Sequence, residues 1–273
     1  MATTEEIALL SDNRIIGNLN LDQSKVVFEG VHNILITPAA PQEKRGVVLS
    51  NSVVKFCGNN SLVFLSNSDC QYFVDISLYN NSFCYIGADN YFSSKLMLQC
   101  SEQCNILIGD DCMFSSGVWI RTSDVHLIYD VESRTRINNS KSVFIGDHVW
   151  IGQDAKLWKG SRVGSGAILG AGAFTSGKAI PSNTLWGGTP ARQIRSGVTF
   201  ISRISTHRFA GSVTEESQVC PEDHLVVYQF AENETKDFSE LEKTFQSCGT
   251  MGNRVAFLQG LSEDNAKNRF FIG

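Results

Sequence analysis

An all-β solenoid of three-sided coils is the fold this 273-residue sequence predicts, and three observations predict it. Residues 145–174 divide without a gap into five hexads, IGDHVW, IGQDAK, LWKGSR, VGSGAI and LGAGAF. Of the 23 glycines, 11 fall between 145 and 200, where tight coils need corners. Upstream, NNSLVFLS (59–66), NNSFCYIG (80–87), EQCNILIG (102–109) and NSKSVFIG (139–146) share one ending, a hydrophobic pair followed by Ser or Gly.

The hexads begin with Ile145, Ile151, Leu157, Val163 and Leu169, and Gly146, Gly152, Gly164 and Gly170 follow four of these. A small or branched residue holds the fifth place: Val149, Ala155, Ser161, Ala167 and Ala173. A period of six cannot keep one face of a helix, whose repeat is about 3.6 residues. It fits a coil of three short strands, each sending one aliphatic side chain inward, with a small residue easing the corner. Such coils stack at roughly 4.8 Å, each covering the edge of the last. Leu65, Ile86 and Ile108 stand 21 and 22 residues apart, a coil of three hexads plus a few residues at a corner. The next step, Ile108 to Ile145, is 37 residues, and 121–141 does not keep the clock. That stretch reads as a loop leaving the solenoid, and loops on rigid scaffolds tend to carry function.

Residues 1–50 are polar with scattered aliphatic pairs (Val26-Val27, Val47-Val48), which suggests irregular first coils. The hexads stop around Val198–Phe209, where an open solenoid end needs a cap. Residues 212–273 change character. HLVVYQF (224–230) predicts a strand, and DFSELEKTF (237–245) predicts a helix with Phe238, Leu241 and Phe245 on one face. NRVAFLQGLSEDNAKNRFF is ambiguous. The expected organisation is a solenoid over 1–211, its loop at about 121–141, and a small α/β extension over 212–273. That extension is left with three roles: capping, oligomerising or shaping an acceptor groove.

Hydrophobic residues make up 42% and charged residues 19%, which excludes a disordered acidic chain. No apolar run approaches the ~18 residues of a membrane span. The start, MATTEEIALL, lacks the basic region of a signal peptide. Eight scattered Cys contain no CxxC, so reduced thiols in the cytoplasm are expected, mostly as small core residues. The net charge of -5 argues against a general nucleic-acid binder. It is unevenly spread: residues 1–120 hold 6 basic and 12 acidic residues, 121–211 hold 12 and 5, and 212–273 hold 5 and 11. The loop and hexads thus carry +7 between two blocks of -6, a field that favours anionic ligands.

Further markers stand in order: Ser123-Asp124-Val125-His126, Ile137-Asn138, Ile145 to Gly152, Gly170-Ala171-Gly172, Ile180-Pro181 and Gly188-Thr189-Pro190-Ala191-Arg192. With five hexads in phase, this series resembles the hexapeptide-repeat acyltransferases, and among them the O-acetyltransferases of capsule and O-antigen polysaccharides. The interval of 24 from His126 to Trp150, with its aromatic-rich loop, looks most like the bacterial polysialic acid O-acetyltransferases. The likeness covers roughly 50–205. It implies a left-handed parallel β-helix, acetyl-CoA as donor, a sugar hydroxyl as acceptor, and a homotrimer with active sites between subunits. The acceptor is expected to be an anionic, sialic-acid-containing polysaccharide. The alternative is a small acceptor such as a nucleotide sugar or amino acid. A zinc enzyme on this fold needs three converging His; His126 and His148 have no third nearby, so no metal is expected. GxxxxGK[ST] is absent.

A hydroxyl nucleophile needs a base, and imidazole suits that task near neutral pH. His126, in the departing loop and at the family's motif position, is the expected base. Asp124 either orients it or caps the loop turn. By resemblance the Trp150 main-chain amide holds the oxyanion, while its indole either stacks on a ligand or is an exposed corner aromatic. Gly170, Ala171, Gly172 and Ala173 are expected to wall the pantetheine arm, with Gly152 also at the cofactor and Ser176 beyond them; by resemblance Lys178 and Arg192 meet the phosphates. One extra residue before Lys178, relative to many relatives, alters its reach. Trp186 either stacks on adenine or plugs the solenoid end. Tyr129, Arg134 and Arg136 are the acceptor candidates, Arg being suited to a carboxylate; solvated loop charge is the alternative. His148 is a second candidate for ligand contact. His32, His207 and His224 are read as structural.

Overall fold

The computed structural model describes residues 12–38, 46–202, 206 and 217–273. The start of the chain, the 211/212 boundary and most of the 203–209 stretch lie outside the described residues. The described coils build three long sheets, and every ladder between successive coils is parallel. Face one holds eight strands, from Arg14–Ile16 to Ala179–Ile180. Face two holds seven, from Lys25–Phe28 to Phe174–Thr175. Face three holds six: five from Tyr91–Phe92 to Thr184–Gly187, then the antiparallel strand Arg192–Ser196.

The hexad clock maps onto these faces. Ile145, Ile151 and Leu157 lie on faces one, three and two, and the round repeats at Val163 and Leu169. Their side chains are fully buried in one continuous core with Ile120, Phe114 and Ile180. The looser upstream coils hold register too, since Leu65 pairs with Ile86 and Ile86 with Ile108. Ile108 pairs directly with Ile145. The 37-residue step is therefore one coil with an inserted loop between Trp119–Arg121 and Val143–Ile145. The first coils are more regular than expected: Ile34–Ile36 aligns in register with both Arg14–Ile16 and Leu62–Phe64. At one column of corners the backbone turns through left-handed φ, at Asp89 (56°), Asp111 (51°) and His148 (51°). Short polar side chains tolerate that region best.

All eight cysteines are free, and Cys84, Cys100 and Cys112 are buried. Burial raises the Cys100 and Cys112 thiols and lifts Cys104 to about 11, as for packing residues rather than nucleophiles.

The C-terminal extension lies along face one. Two helices, α1 (Phe238–Ser247) and α2 (Met251–Glu263), carry Phe238, Phe245, Leu258 and Leu261 onto it. Face one meets them with outward Phe64, Phe83, Tyr85, Leu107 and Phe144. Asp237 caps α1, its carboxylate accepting from the Ser239 and Glu240 amides. The expected strand at 224–230 does not form. Its first amides, at His224 and Leu225, close a 3-10 turn onto the Pro221 and Glu222 carbonyls, and from Val226 to Gln229 its backbone bonds go to side chains. Asn183 brackets Tyr228, Thr199 donates to the Val226 carbonyl, and Asn268 accepts from Gln229. The described extension is thus helical with an extended lead-in.

Arg269 pins the extension to the solenoid. It is 1% exposed, donates to Asp147 at 2.7 and 2.9 Å, and lies 2.7 Å from Asp110. Those two carboxylates also cap successive corners, Asp147 accepting from the Asp110 amide and Asp110 from the Ala88 amide, each at 2.7 Å.

Candidate active site

The loop that carries His126 leaves face two after Arg121. Its tip is a small hairpin, with Asp130 and Ile137 amides donating to the Thr135 and Ile128 carbonyls. Its base is held at two points. Asp124 takes Lys159 Nζ at 2.5 Å and Asn138 Nδ2 at 3.1 Å, and the Lys159 bond holds its carboxyl below the usual range. Asn138 also donates to the His126 carbonyl at 2.8 Å and accepts the Ile128 amide at 2.9 Å. Arg136 forms a two-pronged pair with Glu102 at 2.7 and 2.8 Å, and Ser140 adds a third bond to that carboxylate. The pair holds Glu102 at about 2.

This wiring sorts the expected roles. Asp124 belongs to Lys159 and Asn138 rather than to the His126 ring, so it fixes the loop, and Asn138 carries that to the His126 backbone. Among the described residues the His126 ring makes no hydrogen bond, and the residue is exposed. Arg136, an expected acceptor residue, is paired with Glu102 in this structure. Tyr129 and Arg134 stay exposed at the tip. Around them Val125, Leu127, Ile128, Val131 and Ile137 form an apolar loop surface with little cover.

Trp150 sits outward on face three, in register with Met113 and Ile168. Its main-chain amide donates to the Ala167 carbonyl at 3.0 Å. The expected oxyanion donor is therefore spent on the ladder, as happens to an amide inside a strand flanked on both sides. Among the described residues the indole N–H donates only to Ser115 Oγ, at 3.3 Å, and the residue is 36% exposed. No hydrogen bond or ring contact joins His126 to Trp150 within one chain, among the described residues.

His148 is a structural residue. It is buried, with Nδ1 on Asp111 at 2.7 Å, Nε2 on the Phe200 carbonyl at 3.0 Å and its ring stacked on Phe200.

The small-residue wall runs down the corner between faces three and two. Gly152 is required there, because a Cβ would lie 2.6 Å from the Ala171 amide nitrogen. Gly172, at φ +67°, opens onto free space, and Ala171 is exposed. Ser176 and Arg192 are exposed near this wall, and the Thr189 hydroxyl ties the return strand's turn to the Gly172 carbonyl at 3.0 Å. Lys178 lies 5.8 Å from the Trp186 ring. Trp186 aligns with the inward Leu169 and packs, partly buried, against the core at the solenoid end.

Sequence reasoning missed Lys159, whose partner lies 35 residues away with no local signal. It also missed Arg121, whose guanidinium stands 6.0 and 5.5 Å from the Trp119 and Trp158 rings at the root of the loop. Among the described residues, no group of three or more His, Cys, Asp or Glu is placed to hold a metal ion. No described helix is long and apolar enough to cross a membrane.

Comparison with known proteins gives consistent likenesses. A polysialic acid O-acetyltransferase of Neisseria meningitidis is 34% identical over 108 residues, 40% of this chain and 49% of that protein. One of Escherichia coli O1:K1 / APEC is 44% identical over 98 residues, 36% of this chain and 32% of that protein. The matches thus span half or less of these curated relatives. The crystal structure of the polySia-specific acetyltransferase NeuO aligns at TM-score 0.61 and 30% identity, covering 76% of this chain and 91% of that one. The polysialic acid O-acetyltransferase OatWY aligns at TM-score 0.54 and 22% identity over 74% of this chain and 98% of its own, a likeness of fold. No family model matches the chain. The fold is the left-handed parallel β-helix expected from the motif order.

Proposed function

The chain belongs to the hexapeptide-repeat acetyltransferases, close to those of capsular polysialic acid, and from that premise we propose that it moves acetyl from acetyl-CoA to a hydroxyl of a sialic-acid-containing polysaccharide. The observation that carries this reading is His126 itself: an exposed residue whose ring has no partner among the described residues, on a backbone fixed by Asn138, Asp124 and Lys159.

In the proposed reaction His126 takes the proton of the sugar hydroxyl as its oxygen attacks the thioester carbonyl. The carbonyl oxygen gains the charge, and the Trp150 indole N–H is the donor available at that residue. Collapse of the tetrahedral intermediate breaks the C–S bond, and His126 returns its proton to the departing sulfur. Gly152, Gly170, Ala171 and Gly172 let the pantetheine arm approach the coil corner. Ser176, Lys178 and Arg192 line its far end, the two cations at the phosphates. Tyr129 and Arg134 meet the acceptor, Arg134 at a carboxylate.

Two features support a homotrimer with sites shared between subunits. The apolar loop surface needs cover, and His126 and Trp150 do not meet within one chain. Acetyl-CoA as donor fits action in the cytoplasm. The test is transfer of radiolabel from acetyl-CoA to a panel of anionic capsular polymers, polysialic acid among them. Labelled polysialic acid is expected. Transfer to no polymer rejects the reading, and transfer only to a monosaccharide replaces it with a small acceptor.

A further inference from the structure

Two cavities open side by side where α1 crosses the coil corners. The larger, roughly 550 Å³, reaches Ser140, Lys141 and Ser142 at the base of the His126 loop and runs past Arg162 to α1. The smaller, roughly 380 Å³, is lined by Asn81, Gln103, Asn105, Phe245, Gln246 and Arg254. Gln246 lines both, so together they form one groove along α1.

The smaller cavity holds an unanswered donor. Asn105 is 1% exposed and its Oδ1 accepts the Phe83 amide at 2.9 Å, yet its Nδ2 has no partner among the described residues. A buried amide donor left unpaired is costly, so the site favours an acceptor group. Its neighbours are carboxamides, which donate and accept as sugar hydroxyls do. Arg254 lies 5.4 Å over the Phe245 ring, and among the described residues its side chain makes one hydrogen bond, from Nε to the Cys248 carbonyl, which leaves most of its guanidinium N–H groups unassigned. In the larger cavity Lys243 is paired with Glu240, while Lys141 has no ion pair among the described residues. Arg162 is held by Ser239 at 2.6 Å, and Glu242 is engaged by the Ser142 hydroxyl. Hydroxyl-matching amides at one end and spare cations along the length suit a polyhydroxylated chain bearing carboxylates. In the smaller cavity an apolar ligand finds little, since Phe245 is buried beneath Arg254.

We infer that this groove is a second binding site for an acidic polysaccharide, holding a distant stretch of the same polymer whose nearer residues reach the His126 loop. The inference rests on the proposed polymeric acceptor. Two linked sites raise the apparent affinity of a long chain without any new contact at the catalytic loop. A short oligomer, unable to span both, gains nothing.

The test is binding of long-chain polysialic acid and of a short sialic acid oligomer to the full chain, by titration calorimetry. Two variants are compared with the wild type: Gln246→Glu, at an exposed position that leaves packing intact, and Arg254→Gln. The expected result is a long-over-short preference in the wild type that falls about tenfold in each variant, with unchanged thermal unfolding for Gln246→Glu. A wild type without length preference, or a preference kept in both variants, overturns the groove. Radiolabel transfer separates the two readings. Charge-sensitive long-chain binding without acetyl transfer rejects the acceptor reading and keeps the groove. Transfer with variant-insensitive binding rejects the groove alone.

Discussion

Replacing Arg269 with Met removes the cation that joins the extension to the solenoid. The wild-type side chain is 2% exposed, against 12% for Asp147 and 35% for Asp110. Arg269→Met keeps most of the volume and leaves both carboxylates near one another without their counter-charge. Burial already raises the Asp110 carboxyl, while Arg269 pulls it down. Breaking a buried pair from one side costs about 3–5 kcal/mol, because the remaining charge stays desolvated. Arg269 also donates to the Leu261 and Asp264 carbonyls, so the end of α2 loses its tether in the same step. At about 2–4 °C per kcal/mol for a large domain, the melting temperature falls by roughly 6–20 °C. Denaturant unfolding at neutral pH measures it. Adding Asp147→Asn to Arg269→Met recovers part of the loss, since one stranded charge is gone. A single variant within about 0.5 kcal/mol of wild type, the range of an ordinary surface change, refutes the reasoning.

Other outcomes follow from the same contacts. Asn138→Ala frees the His126 carbonyl and is expected to lower kcat by about 10²-fold with little change in KM for acetyl-CoA, as measured by steady-state kinetics. Trp150→Phe keeps a ring and removes the indole N–H, so kcat falls by about 10²-fold if that donor holds the oxyanion; full activity rejects it. Glu102 titrates near 2 in the fold, below its ordinary 4.5, through its Arg136 and Ser140 bonds. Its contribution is complete above about pH 4.5 and is lost as pH falls towards 2; with 42% of the carboxylate side chain exposed, screening reduces it to about 1 kcal/mol. Glu102→Gln should therefore narrow the stability gap with wild type on acidification. Phe238→Ala, which empties the site between Phe144 and Phe270, is expected to cost about 3–5 kcal/mol in urea unfolding.

The solenoid was legible because its signal is periodic and local. One inward aliphatic per hexad and a small corner residue fix face, register and the departure of the loop. The extension's resting place is also written in the strands. LVFL, FCYI and VFI are apolar on both sides, the mark of a strand buried on two faces. What the sequence hides are pairings across distance and competition for one group. Asp124 could not be assigned to Lys159, nor Arg136 to Glu102, from positions 35 and 34 residues apart. The Trp150 amide looks free on a motif and is spent in a ladder. HLVVYQF alternates like a strand, but the side chains of Asn183, Thr199 and Asn268 take its backbone bonds before any strand does.

The central claim is that His126 is the base for acetyl transfer. The most direct measurement is single-turnover transfer of radiolabelled acetyl from acetyl-CoA to polysialic acid by His126→Ala and wild-type protein, alongside acetyl-CoA binding. The account predicts a loss of about 10²–10⁴-fold in the transfer rate with acetyl-CoA binding retained. Transfer at the wild-type rate by a folded His126→Ala protein contradicts it.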